Sequence, residues 1–144
     1  MRFPTTFRRC SAPPGTATLV RRAFYPALQS LLETAALAHG KTGVQVTMLP
    51  KPTEAGNPDF RVWDGQSRIM GYVEAKTPGA NLDQVETSDQ LKRYIHTFPN
   101  VILTDFYEFR LYRDGTRIAR VTAGFAFSAG RREKTILRSN RRVS

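Results

Sequence analysis

At 144 residues the chain is long enough for one domain with a real core and too short for two comfortable ones. A single cysteine, Cys10, excludes an internal disulfide, and two isolated histidines, His39 and His96, offer no zinc-ligand spacing. No run nears the roughly 18 apolar residues of a membrane span and no apolar signal stretch opens the chain, so a soluble, cytoplasmic protein without membrane contacts is expected.

The net charge of +10 is unevenly spread. Residues 1–22 carry five arginines and no acid, residues 131–144 carry six basic residues and one acid, and the stretch between them is neutral with eleven of each sign. The expected organisation is a flexible basic arm (1–22), one folded domain (23–127) and a flexible basic tail (128–144). Such arms attract phosphate backbones by counterion release, and Arg131, Arg132, Arg141 and Arg142 are the candidate contacts.

In chain order, AFYPALQSLLETAALA (23–38) predicts a helix with Leu28, Leu31, Leu32 and Ala35 on its apolar face, Pro26 in the first turn and Gly40 beyond its end. The following HGKTG ends like a phosphate-binding loop, but its required first glycine falls at Ala35 inside a helix, so that reading fails. VQVTML (44–49) predicts a strand, and KPTEAGNP a loop leading into a hairpin that turns at residues 64–67. A helix is expected from Asn81 to Phe98, with a stripe of Leu91, Ile95 and Phe98 and a stop at Pro99. VILT (101–104) reads as a buried strand, and EFRLYR and RIARVTA flank Asp114-Gly115 as a second hairpin.

The first hairpin carries the chemistry. With residues 64–67 as its loop, Phe60 would face Gly71, Val62 would face Ile69, and Asp59 would lie opposite Tyr72. Asp59, Tyr72, Glu74 and Lys76 then share one face, while Phe60, Val62, Ile69, Val73 and Ala75 share the apolar other. Asp59 becomes a diagonal neighbour of Glu74, and two converging carboxylates suit magnesium, which needs only one or two from the protein. Lys76 stands on the same face, where its ammonium could meet a phosphate or an attacking water. The plainer alternative is a hairpin with one solvated face, on which Glu74 and Lys76 form a surface ion pair contributing roughly 0–1 kcal/mol.

Pro58-Asp59 followed by Glu74-Ala75-Lys76 resembles the signature of the PD-(D/E)xK nuclease superfamily, and the order αβββαβ is similar to its core. More narrowly, GNPDFRVWD, GYVEAKTPGANLDQ, QLKRY and FPNVILTDFYEFRLYRDG resemble the N-terminal nuclease module of single-chain restriction-modification enzymes (type ISP or type I-like). The resemblance implies an α/β (α+β), restriction-endonuclease-like fold with a central mixed sheet flanked by helices and an extra C-terminal hairpin. It implies Asp59 and Glu74 as metal ligands, Lys76 as the residue that positions water and stabilises charge, and Mg2+ as cofactor, with Mn2+ able to substitute. Gln90 and Tyr94 match the Gln-x-x-x-Tyr motif of related nucleases, and Glu33 is a candidate further acid on the first helix. Thr87-x-x-Gln90 also fits a capping box, and Tyr94 lies near the core stripe.

The implied activity is endonucleolytic hydrolysis of double-stranded DNA in a restriction-modification system. Methyltransferase, helicase or specificity regions outside this chain would be partners, with a homodimer as a further option. The alternatives are a non-catalytic basic DNA-binding protein and an inactive remnant of the nuclease fold.

Overall fold

The computed structural model describes residues 15–123. The expected C-terminal tail, with Arg131, Arg132, Arg141 and Arg142, lies outside the described residues. In chain order the elements are α1 (Thr16–Ala23), α2 (Tyr25–Ala38), β1 (Gln45–Met48), β2 (Phe60–Trp63), β3 (Ile69–Ala75), α3 (Leu82–Glu86), α4 (Asp89–Thr97), β4 (Asn100–Thr104), β5 (Glu108–Arg113) and β6 (Thr116–Thr122). The strands form one sheet in sequential order, antiparallel throughout except for the parallel pair β3 and β4, which α3 and α4 connect. This is an α+β fold with a mixed six-stranded sheet flanked by helices, compatible with the restriction-endonuclease-like fold that the sequence implies. Among the described residues no helix is long and apolar enough to cross a membrane.

Both faces of the sheet are covered. Tyr25 and Leu28 of α2 pack with Val46, Phe60, Val73 and Ala75 on one side. Leu91, Tyr94 and Ile95 of α4, with Phe98, pack with Tyr72, Val101, Leu103 and Tyr112 on the other. The hairpin face that carries Tyr72 and Glu74 is therefore closed over by a helix there, while Arg61 and Trp63 further along it stay half-exposed. Burying a side chain as fully as Leu91, at 1 % exposure, contributes about 1.5–3 kcal/mol, and the predicted stripe of Leu91, Ile95 and Phe98 forms as expected.

Several expectations are corrected. The predicted helix at 23–38 starts at Tyr25, and residues 16–22, expected in the basic arm, belong to a separate helix, α1, that buries none of its residues. Leu31 and Ala35 are exposed, because the sheet meets α2 along Tyr25, Leu28 and Leu32 and leaves the adjoining face in water. The single helix expected at 81–98 is two. Asn81 caps α3 through the Gln84 amide, and Ser88 caps α4 through the Leu91 amide, so the chain restarts at Ser88 and the Thr87/Gln90 capping box does not form. Thr87 instead donates its hydroxyl to the Gln84 carbonyl.

The hairpin register also differs. Phe60 pairs with Val73, Arg61 with Tyr72, Val62 with Gly71, and Trp63 with Ile69, with an irregularity between Val62 and Trp63. The loop is longer than expected because the Asp64 carboxylate accepts from the amides of Gln66, Ser67 and Arg68, which draws Arg68 into the turn. Along Phe60 to Val62 the net displacement is two residues, an even number, so the two faces keep their membership. Ile69, beside the irregularity, is the exception and is 41 % exposed.

Glu33 has a local task on the sheet edge. The Val46 amide donates to its carboxylate at 2.9 Å while Gln29 donates to the Val46 carbonyl at 2.7 Å, so one helical turn of α2 satisfies the outward peptide groups of edge strand β1.

Candidate active site

The observed register, continued one residue past β2, sets Asp59 level with Glu74 rather than diagonal to it. Leu49 donates its amide to the Asp59 carbonyl at 2.7 Å, which ties this position to the end of β1. Both acids are buried, Asp59 at 6 % exposure and Glu74 at 4 %. One Asp59 oxygen accepts from the Tyr25 hydroxyl at 2.6 Å and the other from the Ala75 amide, next to Glu74 in sequence, at 2.9 Å. Arg21 of α1 donates to the Ala75 carbonyl at 3.1 Å and lies 3.8 Å from Asp59. Lys76 reaches back to one Glu74 oxygen at 2.7 Å with its own side chain 22 % exposed.

The other Glu74 oxygen, Oε2, is buried with no hydrogen-bond partner among the described residues. Burial, and then the Asp59 charge, push the Glu74 pKa above the usual glutamate range, while Lys76 and Arg21 pull it down incompletely. Tyr25 is pushed far upward by burial and by Asp59, so it remains a neutral donor that orients the Asp59 carboxylate.

Tyr94 braces the loop that delivers Asp59. It is fully buried, and its hydroxyl accepts from Gln90 at 3.0 Å. Burial raises its pKa, and the negative charges of Glu74 and Asp59 add to that shift. The turn at residues 53–56, closed by paired backbone bonds between Thr53 and Gly56, rests directly on this ring. Gly56 holds φ +133°, and a Cβ there would stand 3.1 Å from the Tyr94 hydroxyl. Gly56→Ala is therefore expected to cost about 1–3 kcal/mol of stability from overpacking and backbone strain, read from the urea unfolding midpoint.

Of the predicted site residues, the structure brings Asp59, Glu74 and Lys76 together and sets the Gln90–Tyr94 pair beside the Asp59 loop. Glu33 is engaged by the Val46 amide instead of by either acid. Two contributors escape sequence reasoning: Tyr25, whose contact spans 34 residues, and Arg21, which reads as one more arm charge.

The donor set fits a hard divalent cation. Among the described residues no group of three or more His, Cys, Asp or Glu side chains could hold a metal, so a cage built wholly from protein side chains is not offered. Two carboxylates, one with a buried oxygen lacking a partner, match the one or two that magnesium takes while keeping water and a substrate oxygen.

Among solved structures the chain is similar to one titled as a cryoEM structure of a DrdV–DNA complex, at TM-score 0.57 and 25 % identity over 71 % of this chain and 10 % of that one. This chain thus spans about a tenth of the length of the one it resembles. No family model and no curated protein matches the sequence.

Proposed function

We propose that the chain is a magnesium-dependent DNA endonuclease module of the PD-(D/E)xK type, acting on double-stranded DNA within a restriction-modification system. The observation that carries this reading is the buried, unpartnered Oε2 of Glu74 beside the Asp59 carboxylate, with Lys76 alongside. The likeness to a chain described in complex with DNA, about ten times longer than the matched part, supports DNA as the partner and further regions in such an assembly.

Asp59 and Glu74 would hold the cation, which when bound supplies Lewis-acid stabilisation of phosphoryl charge and eases deprotonation of the attacking water. Tyr25 and the Ala75 amide fix the Asp59 carboxylate through one hydrogen bond to each oxygen, leaving its remaining lone pairs for the ion. Arg21 balances the paired acids from the α1 side. The Lys76 ammonium, in contact with both Glu74 and solvent, is the group that would steady the attacking water or a phosphate oxygen. Gln90, half-buried and held to Tyr94, would flank the same pocket. The basic arm and tail would add salt-sensitive affinity for the DNA backbone.

The test is nicking or linearisation of supercoiled plasmid with magnesium and with EDTA, for the wild type and Lys76→Ala. Cutting that requires magnesium and falls at least about 10²-fold in the variant is expected. Magnesium-independent binding with no cutting in any preparation would instead favour a non-catalytic DNA-binding protein.

A further inference from the structure

We infer that Arg61, braced on Trp63, is a contact for a phosphate of the substrate strand next to the one held over Asp59 and Glu74. This deepens the nuclease reading and rests on it. Arg61 sits on β2 between Thr47 of β1 and Tyr72 of β3. Strand alternation puts its side chain on the face of Tyr72 and Glu74, about 7 Å along the chain from Asp59.

Among the described residues Arg61 is an arginine that is partly buried without an acid, whereas Arg22 and Arg68, which also lack one, are exposed. Arg21, Arg110, Arg117 and Arg120 each lie against a carboxylate, and Arg93 and Arg113 donate to oxygens of Ala55 and Asn100. Arg61 is half-buried, its Nε is buried without a hydrogen-bond partner, and no carboxylate among the described residues pairs with it. Its guanidinium carbon lies 5.2 Å from the centre of the Trp63 ring, and the indole N–H is pinned to the Thr47 hydroxyl at 3.1 Å. A cation–π contact steadies a guanidinium without consuming its donors.

A partly desolvated cation with no counter-charge is costly unless an anion arrives to meet it. The planar fork of donors matches the oxygens of a phosphate, and rigid placement reduces the ordering cost at binding. Because α4 covers the sheet at Tyr72 while Arg61 and Trp63 stay half-exposed, the fork remains open to solvent on the strand face that carries the paired acids. A phosphodiester backbone laid across that face would supply the missing charge.

The test measures duplex binding by anisotropy in a Lys76→Ala background with magnesium, where both carboxylates remain, comparing Arg61 with Arg61→Gln and Arg61→Lys. Because Trp63 is the sole tryptophan, its fluorescence reports the local contact. Arg61→Gln, with circular dichroism unchanged, is expected to weaken binding about tenfold, make the salt slope shallower by about 0.9, and abolish the Trp63 response to duplex. Arg61→Lys is expected to restore the slope and only part of the affinity. Unchanged affinity, slope and fluorescence response in Arg61→Gln would overturn this inference and leave the nuclease reading standing. Inorganic phosphate that alters Trp63 emission as strongly as duplex, at equal phosphate concentration, would overturn the backbone contact in favour of a free-phosphate site. Absence of duplex binding in every form would overturn both readings.

Discussion

Asp59→Asn is expected to lower magnesium-dependent cleavage by at least about 10³-fold while the protein stays folded, as read from plasmid cutting beside the thermal unfolding midpoint. The asparagine removes the negative charge that would hold the ion yet keeps the local hydrogen bonds satisfiable. Its amide oxygen can accept from Ala75, and its amide nitrogen can donate to the Tyr25 oxygen, because a hydroxyl rotates to suit its partner. Asp59→Ala behaves differently. It strands two buried donors at a cost of about 1–3 kcal/mol each, so its loss of activity is mixed with a loss of stability. Asp59→Asn cutting within tenfold of the wild type would separate this carboxylate from the reaction.

Glu74→Gln is expected to make the metal-free protein more stable and to remove its response to magnesium. Burial and the Asp59 charge raise the Glu74 pKa above its ordinary 4.5, so the fold favours the protonated form. Its contribution is fully present below the unfolded value and is lost as pH rises through the folded one, so at neutral pH the ionised side chain costs stability. Glutamine avoids that cost. In EDTA the variant should therefore unfold at higher urea than the wild type at pH 7, and the gap should close as pH falls toward 4.5. Magnesium at about 100 times its dissociation constant should stabilise the wild type by about 2.7 kcal/mol and leave the variant unmoved. A wild type more stable than the variant in EDTA at pH 7 would contradict this account of the site.

The same hairpin shows what a sequence pattern carries. Alternation assigns Phe60, Val62, Val73 and Ala75 to one face and Tyr72 and Glu74 to the other, since charges and apolar groups cannot exchange faces without a one-residue slip. The pairing itself is not legible, because it depends on how many amides Asp64 gathers and on an irregularity at Val62/Trp63, which leave the alternation of these residues intact and displace only Ile69. Asp114-Gly115 does fix the second hairpin: both residues take positive φ, as the tight turn there requires. In α4 the stripe of Leu91, Ile95 and Phe98 is visible, yet the break at Ser88 is hidden by polar residues that serve equally as caps or as helix surface.

At the site, the acids and the lysine are legible because they lie on adjacent strands. Tyr25 and Arg21 are not, since nothing local marks a tyrosine before Pro26, or one arginine among several, as the partner of an aspartate in another element. Arg61 escapes notice for a related reason: alternation places it on the site face, but only the structure reveals that no acid among the described residues meets it.

The central claim, that Asp59 and Glu74 close around a divalent cation, is tested most directly by calorimetric titration of manganese or magnesium into the wild type, Asp59→Asn and Glu74→Gln without DNA. Saturable binding by the wild type that is lost in both variants is the predicted result. Equal affinity in all three proteins, or no binding by the folded wild type, would contradict it.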